Sequence, residues 1–139
     1  ACSGGAMYRP TMSSSFSTNF GSRETLKLRT RWGFRPLARQ CRETLAALGD
    51  IGGAEVYEDA SIYEASPGTL VALADANRDA ERLLLVGHNP GLEQLAALMH
   101  SGQTGDYRGM PPGAIAVLAL PVDANIEPGI ATLTEFWWP

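Results

Sequence analysis

The residues best placed for chemistry in this 139-residue chain are Gly87-His88-Asn89-Pro90-Gly91. An imidazole can hydrogen-bond a phosphoryl oxygen or carry a proton. Gly87 lets the backbone turn closely, and Pro90 helps begin a helix whose first amides offer an anion a favourable partial charge. The four apolar residues Leu83–Val86 stand just before this turn and read as a buried strand with His88 at its end. Ligands of open α/β sheets gather beyond the carboxyl ends of strands. A plainer role, a histidine that only caps the strand–helix turn, stays open on these residues alone.

The one other histidine, His100, follows twelve residues later at the far end of that helix. At about 1.5 Å per residue it is carried well away from His88, so it is expected to be an ordinary helix-end residue. Two histidines at this spacing do not form a metal-ligand cluster, and no metal is expected. No GxxxxGK[ST] segment is present, which argues against a P-loop nucleotide enzyme.

The elements that must hold His88 follow from periodicity. Arg35-Pro36 enters a helix that ends near Gly49, with Leu37, Cys41, Leu45 and Leu48 on one face. A short strand is expected around Glu55–Tyr57. Ser66 before Pro67 reads as an N-cap with proline at the first helical position. The helix that follows, to about Asn77, presents Leu70, Leu73 and Ala74 inward. Leu83–Val86 is a continuous apolar run, as a parallel strand covered on both faces requires. Gly91–Met99 then forms a helix, and Ala114–Leu120 and Ala131–Trp137 are strand candidates, with Gly129 in the polar connection between them. Residues 1–31 show neither an apolar run nor a helical period, and are expected to be an irregular or atypical N-terminal segment. Helices before and between strands favour a layered α/β architecture, read as a single domain over 1–139.

Composition narrows the function classes. Net charge is −4, but residues 1–49 carry eight basic and two acidic side chains, and residues 50–139 three basic and thirteen acidic. An acidic body is a poor general nucleic-acid binder. The basic part either faces a small anion or complements the acidic part. Two cysteines, Cys2 and Cys41, are too few for a disulfide framework and read as a surface thiol and a helix thiol. They give a slight preference for a reducing, cytoplasmic setting. No run of eighteen apolar residues spans a membrane. The first residues lack a basic region followed by an apolar core, which argues against a secretory signal.

LLLVGHNPGLEQLAALM resembles the second-histidine motif of the histidine phosphatase superfamily, in particular its SixA-like phosphohistidine phosphatase branch. IYEASPGTLVAL, PPGAIAVLAL and RQCRETLAALG resemble further segments of that branch, in order, over roughly residues 35–137. The resemblance implies an α/β fold of three layers, a mostly parallel sheet flanked by helices, of the phosphoglycerate mutase-like kind. It also implies a phosphate pocket at the strand ends, no cofactor and no metal. In that family a histidine in an arginine–histidine–glycine or arginine–histidine–alanine motif attacks phosphorus, and water hydrolyses the phosphohistidine formed. The second histidine and arginines stabilise the phosphoryl oxygens.

Carried over residue by residue, His88 matches the second histidine. Glu64, in the YEA segment, stands where the family often has an acidic residue near the pocket; a solvated loop carboxylate is the alternative. Gly87 and Asn89 are assigned to phosphate binding, Asn89 through its backbone or by shaping the turn. An ungapped match puts Cys41 at a family threonine and Leu37 at a family arginine. A shifted match puts Arg39 in the phosphate-binding role, and Arg35 is a further candidate. Pro112 replaces a threonine of the family's proline–threonine–glycine segment. Trp32, Trp137 and Trp138 are expected to be packing groups.

No arginine–histidine pair occurs, so the family nucleophile has no counterpart here. A divergent N-terminus and an incomplete one are both open. A missing strand beside 83–86 would leave an unpaired edge or a gap in the sheet. The expected partners are a phosphorylated protein or small phosphorylated substrate and inorganic phosphate, with no nucleic acid and no membrane. A phosphatase acting on phosphohistidine or a small phosphoester is expected first, and a non-catalytic phosphate-binding or interaction protein second.

Overall fold

The computed structural model describes residues 2–8, 26–30, 35–51, 53–62, 64–105 and 109–139, and only the backbone below residue 41. Six strands form one sheet: β1 (Cys2–Tyr8), β2 (Leu26–Thr30), β3 (Glu55–Glu58), β4 (Arg82–His88), β5 (Ile115–Ala119) and β6 (Thr132–Trp137). Three α-helices accompany them: α1 (Arg35–Ala47), α2 (Pro67–Ala76) and α3 (Gly91–Ser101), with a short 3-10 turn at Ala60–Ile62.

The strand order is β3-β2-β4-β1-β5-β6. β2 runs parallel to both β3 and β4. β1 runs antiparallel to β4 and parallel to β5, and β6 returns antiparallel to β5. Four strands therefore point one way and two the other.

β4 shows why the architecture has three layers. Leu83 and Leu85 belong to the larger apolar cluster, with Leu70 of α2 and Leu92, Leu95 and Met99 of α3. Val86 and Leu84, on the alternate face, pack with Cys41 and Leu45 of α1 and with Ile51. Side chains along a strand alternate between faces, so α2 and α3 cover one side of the sheet and α1 the other. Both faces of β4 are covered, which is why its sequence is a continuous apolar run. Full burial of a side chain such as Leu70, Leu85 or Met99 contributes about 1.5–3 kcal/mol.

The helix ends follow local chemistry. Ser66, in extended conformation, caps α2 by accepting the Thr69 amide at 3.2 Å, and Pro67 opens the helix. Asn77 closes it: its side chain donates to the Leu73 carbonyl at 2.7 Å. Gly102, with φ 82°, ends α3 in the left-handed conformation that glycine adopts without strain.

The expectation of an irregular segment over 1–31 needs correction where that segment is described. Cys2–Tyr8 is a strand in the interior of the sheet, beside β4, so the place next to 83–86 is filled. Its small residues carry no apolar period, and pairing with β4 on one side and β5 on the other makes the strand. Leu26–Thr30 alternates apolar and polar residues, a strand signal held over only five positions. Leu48, expected on the inner face of α1, lies beyond the helix end and is 41% exposed.

Candidate functional site at the end of β4

His88 is the last residue of β4. Alternation places it on the same face as Leu84 and Val86, the side covered by α1. Its Nε2 lies 3.7 Å from Sγ of Cys41, a thiol only 1% exposed. Gly87 faces the other way. A methyl group there would lie 3.1 Å from Cγ2 of Ile62 and 3.6 Å from Leu92.

The turn into α3 is closely shaped. The Asn89–Pro90 peptide is cis, and Gly91 starts the helix. A Cβ on Gly91 would stand 2.9 Å from the Ala65 carbonyl oxygen, closer than any side chain tolerates. Ile62 and Ala65 therefore lie directly against the β4–α3 turn, Ile62 at Gly87 and Ala65 at Gly91. Glu64 sits between these two contacts. Its backbone is left-handed, φ 47°, which costs a residue with a side chain about 1–2 kcal/mol, and its side chain is exposed. Strain of this kind at a non-glycine residue is a recognised mark of functional loops.

Asn89 works by bracing the turn. Its side-chain amide donates to the Met110 carbonyl, and its Oδ1 accepts the Glu93 amide at 3.3 Å. Glu93 Oε1 in turn accepts the Met110 amide at 2.9 Å. These three bonds close a ring that ties the segment after Gly109 to the first turn of α3. The Asn89 side chain is thus engaged through both its nitrogen and its oxygen in bracing the turn. Glu93 and Gln94 donate their amides to Asn89 Oδ1 and the Pro90 carbonyl. Gly91 and Leu92 belong to the first-turn amides that have no acceptor within the helix.

Arg35 and Arg39 both lie on α1, the helix that brings Cys41 to His88; their side chains are outside the described residues. Because β1 runs antiparallel to β4, Cys2 is in register with His88, whereas Tyr8 is in register with Arg82 at the opposite end. Only the start of β1 reaches the candidate site.

His100 is remote from this turn, at the other end of α3, where its Nδ1 accepts the Leu133 amide of β6 at 3.4 Å. Trp137 and Trp138, expected to pack, are each 55% exposed, although the Trp138 ring tilts against Phe136 with centroids 5.5 Å apart. Trp32 lies outside the described residues. Among the described residues no group of three His, Cys, Asp or Glu side chains could hold a metal ion, and no helix is long and apolar enough to cross a membrane. The Cys41–His88 contact was not legible in the sequence. Helical spacing turned Cys41 inward, but nothing local said which strand residue it would meet.

The sheet in this order, with helices on both faces, is a three-layer α/β fold. Two solved structures share it. One, assigned as a phosphohistidine phosphatase SixA from Agrobacterium tumefaciens, is 20% identical, with 98% of this chain and 97% of that chain covered and a TM-score of 0.61. The other, with the same assignment and from Nakamurella multipartitia, is 18% identical, with 100% and 97% covered and a TM-score of 0.65. At these identities the likeness establishes the fold. The sequence matches no family model and none of the curated proteins.

Proposed function

We propose that the chain is a phosphatase that hydrolyses phosphohistidine in a protein, or a related small phosphoester, in a pocket at the end of β4. The observation that carries this reading is that Ile62 and Ala65, on either side of the strained Glu64, pack against the turn that joins His88 to the start of α3. The SixA assignments of the two structures that share the fold point to the same chemistry. Attack on phosphorus increases the negative charge on the phosphoryl oxygens. A preorganised imidazole and helix-start amides stabilise that charge without reorganisation at the moment of reaction. His88 holds the phosphoryl group, the backbone of Gly87 and Asn89 shapes its cradle, and Arg39 and Arg35 supply positive charge from α1. Glu64 delivers a proton to the leaving group.

A second reading, a phosphate-binding protein without turnover, has its own observation. The sequence holds two imidazoles, and the one not at β4 is bonded to the Leu133 amide. No second histidine is therefore available beside His88 to act as nucleophile. Phosphate release from a phosphohistidine-containing protein, compared for the chain and its His88→Ala variant, separates the two readings. Release lost in the variant supports the phosphatase. Binding of inorganic phosphate without release by the folded chain supports the second reading.

A further inference from the structure

We infer that Cys41 is a positioning residue for His88, its buried thiol holding the imidazole by Nε2 and so setting the ring that meets the phosphoryl group. The inference rests on the phosphate-site reading above and deepens it. Sγ of Cys41 is 3.7 Å from Nε2, within the range of a hydrogen bond to sulfur. The thiol is 1% exposed and packed in a small apolar cluster with Val86, Leu84, Leu45 and Ile51. That burial decides between two roles. A nucleophile must reach phosphorus, and a sulfur enclosed in this way cannot do so without opening the packing between α1 and β4. Acting through the imidazole needs no such opening.

The residue type fits the task. The second torsion of histidine is broad and roughly two-fold, and turning the ring over puts carbon where nitrogen stood, so a hydrogen bond to Nε2 favours one of the two orientations. A thiol is both a weak donor and a weak acceptor. Buried among apolar side chains, it gives its S–H to a bare Nε2 and so favours the ring tautomer that carries its proton on Nδ1. It is also apolar enough to share the core with Val86, where cysteine behaves as a small hydrophobe. The contact joins α1 to the end of β4 across 47 residues of sequence, at the only described histidine on that face.

Two variants test this with the full chain. Cys41→Val keeps the apolar volume and loses the hydrogen-bonding atom, and Cys41→Ser keeps a donor and acceptor at the same place. The primary readout is the pair of ring 15N shifts of His88 through the range in which imidazole titrates, with His100 as an internal reference. A titration with inorganic phosphate follows. Cys41→Val is expected to move the His88 tautomer balance and to weaken phosphate binding about two- to fivefold, with His100 unmoved. Cys41→Ser is expected to restore both. Unchanged His88 ring shifts in folded Cys41→Val would overturn the inference, whatever happens to phosphate. Altered ring shifts in a chain that binds no phosphate in any form would uphold the positioning role and defeat the phosphate-site reading instead. Should Cys41→Val not fold, the serine variant decides alone, and loss of the wild-type tautomer in it overturns the inference.

Discussion

Replacing Gly91 by alanine should destabilise the protein, whereas the same change at Gly68 should not. Each glycine lies in the first two positions of a helix, Gly68 in α2 and Gly91 in α3. Intrinsic helix preference alone therefore predicts a gain of at most about 0.5–1 kcal/mol, the mid-helix value, for alanine at either place. Their surroundings differ. A methyl at Gly68 finds only Ser66 Oγ at 3.8 Å, an ordinary contact. A methyl at Gly91 meets the backbone oxygen of Ala65 at 2.9 Å, with Leu70 Cδ1 at 3.6 Å on another side. Relief requires moving backbone, and overpacking of this kind costs typically 1–3 kcal/mol. The net loss at Gly91 is about 0–2.5 kcal/mol, and because the helix term is common to both, the two variants should differ by roughly the overpacking cost, 1–3 kcal/mol. Urea unfolding of both variants and the parent measures the difference. The clash falls at the start of α3, whose amides are assigned to the anion, so Gly91→Ala should also weaken binding of inorganic phosphate, while Gly68→Ala leaves it unchanged. Equal stabilities for the two variants would refute the close approach of Ala65 to α3, and with it the geometry assigned to the site.

Two further substitutions probe the same turn. Glu64→Gly should stabilise the fold by about 1 kcal/mol by relieving the left-handed backbone, yet slow any phosphate release because the proton donor is gone; a variant neither more stable nor slower argues against both roles. Glu93→Ala strips the acceptor from the buried Met110 amide and should cost about 1–3 kcal/mol; Glu93→Gln keeps an acceptor oxygen and should cost less, and equal costs in unfolding experiments would show that this bond is not what holds the segment after Gly109.

The unit from Leu83 to Met99 was legible in the sequence because its signals are local. A continuous apolar run marks a strand covered twice, a glycine and a proline mark the turn, and spacing of three and four marks the helix. The Ser66 cap and the role of His100 at a helix end were legible in the same way. The candidate site was legible only in part. His88 and Glu64 stand out by residue type and neighbours, but the contacts of Ile62 and Ala65 with Gly87 and Gly91 join segments more than twenty residues apart. The bracing of Met110 by Asn89 and Glu93 is likewise invisible along the chain, since it links a loop backbone to side chains 21 and 17 residues earlier.

The sequence by itself determined the order of the elements from α1 to β6, the helix and strand ends set by capping and turn residues, and the placing of His88 at a strand end. Each depends on backbone preferences that neighbouring residues impose. Tertiary structure alone decided that Cys2–Tyr8 is an interior strand running against β4, and that Cys41 lies on His88. Small residues such as those of β1 carry too little apolar area to signal their own strand. They become one because β4 and β5 each present a row of backbone donors and acceptors that burial leaves no water to satisfy.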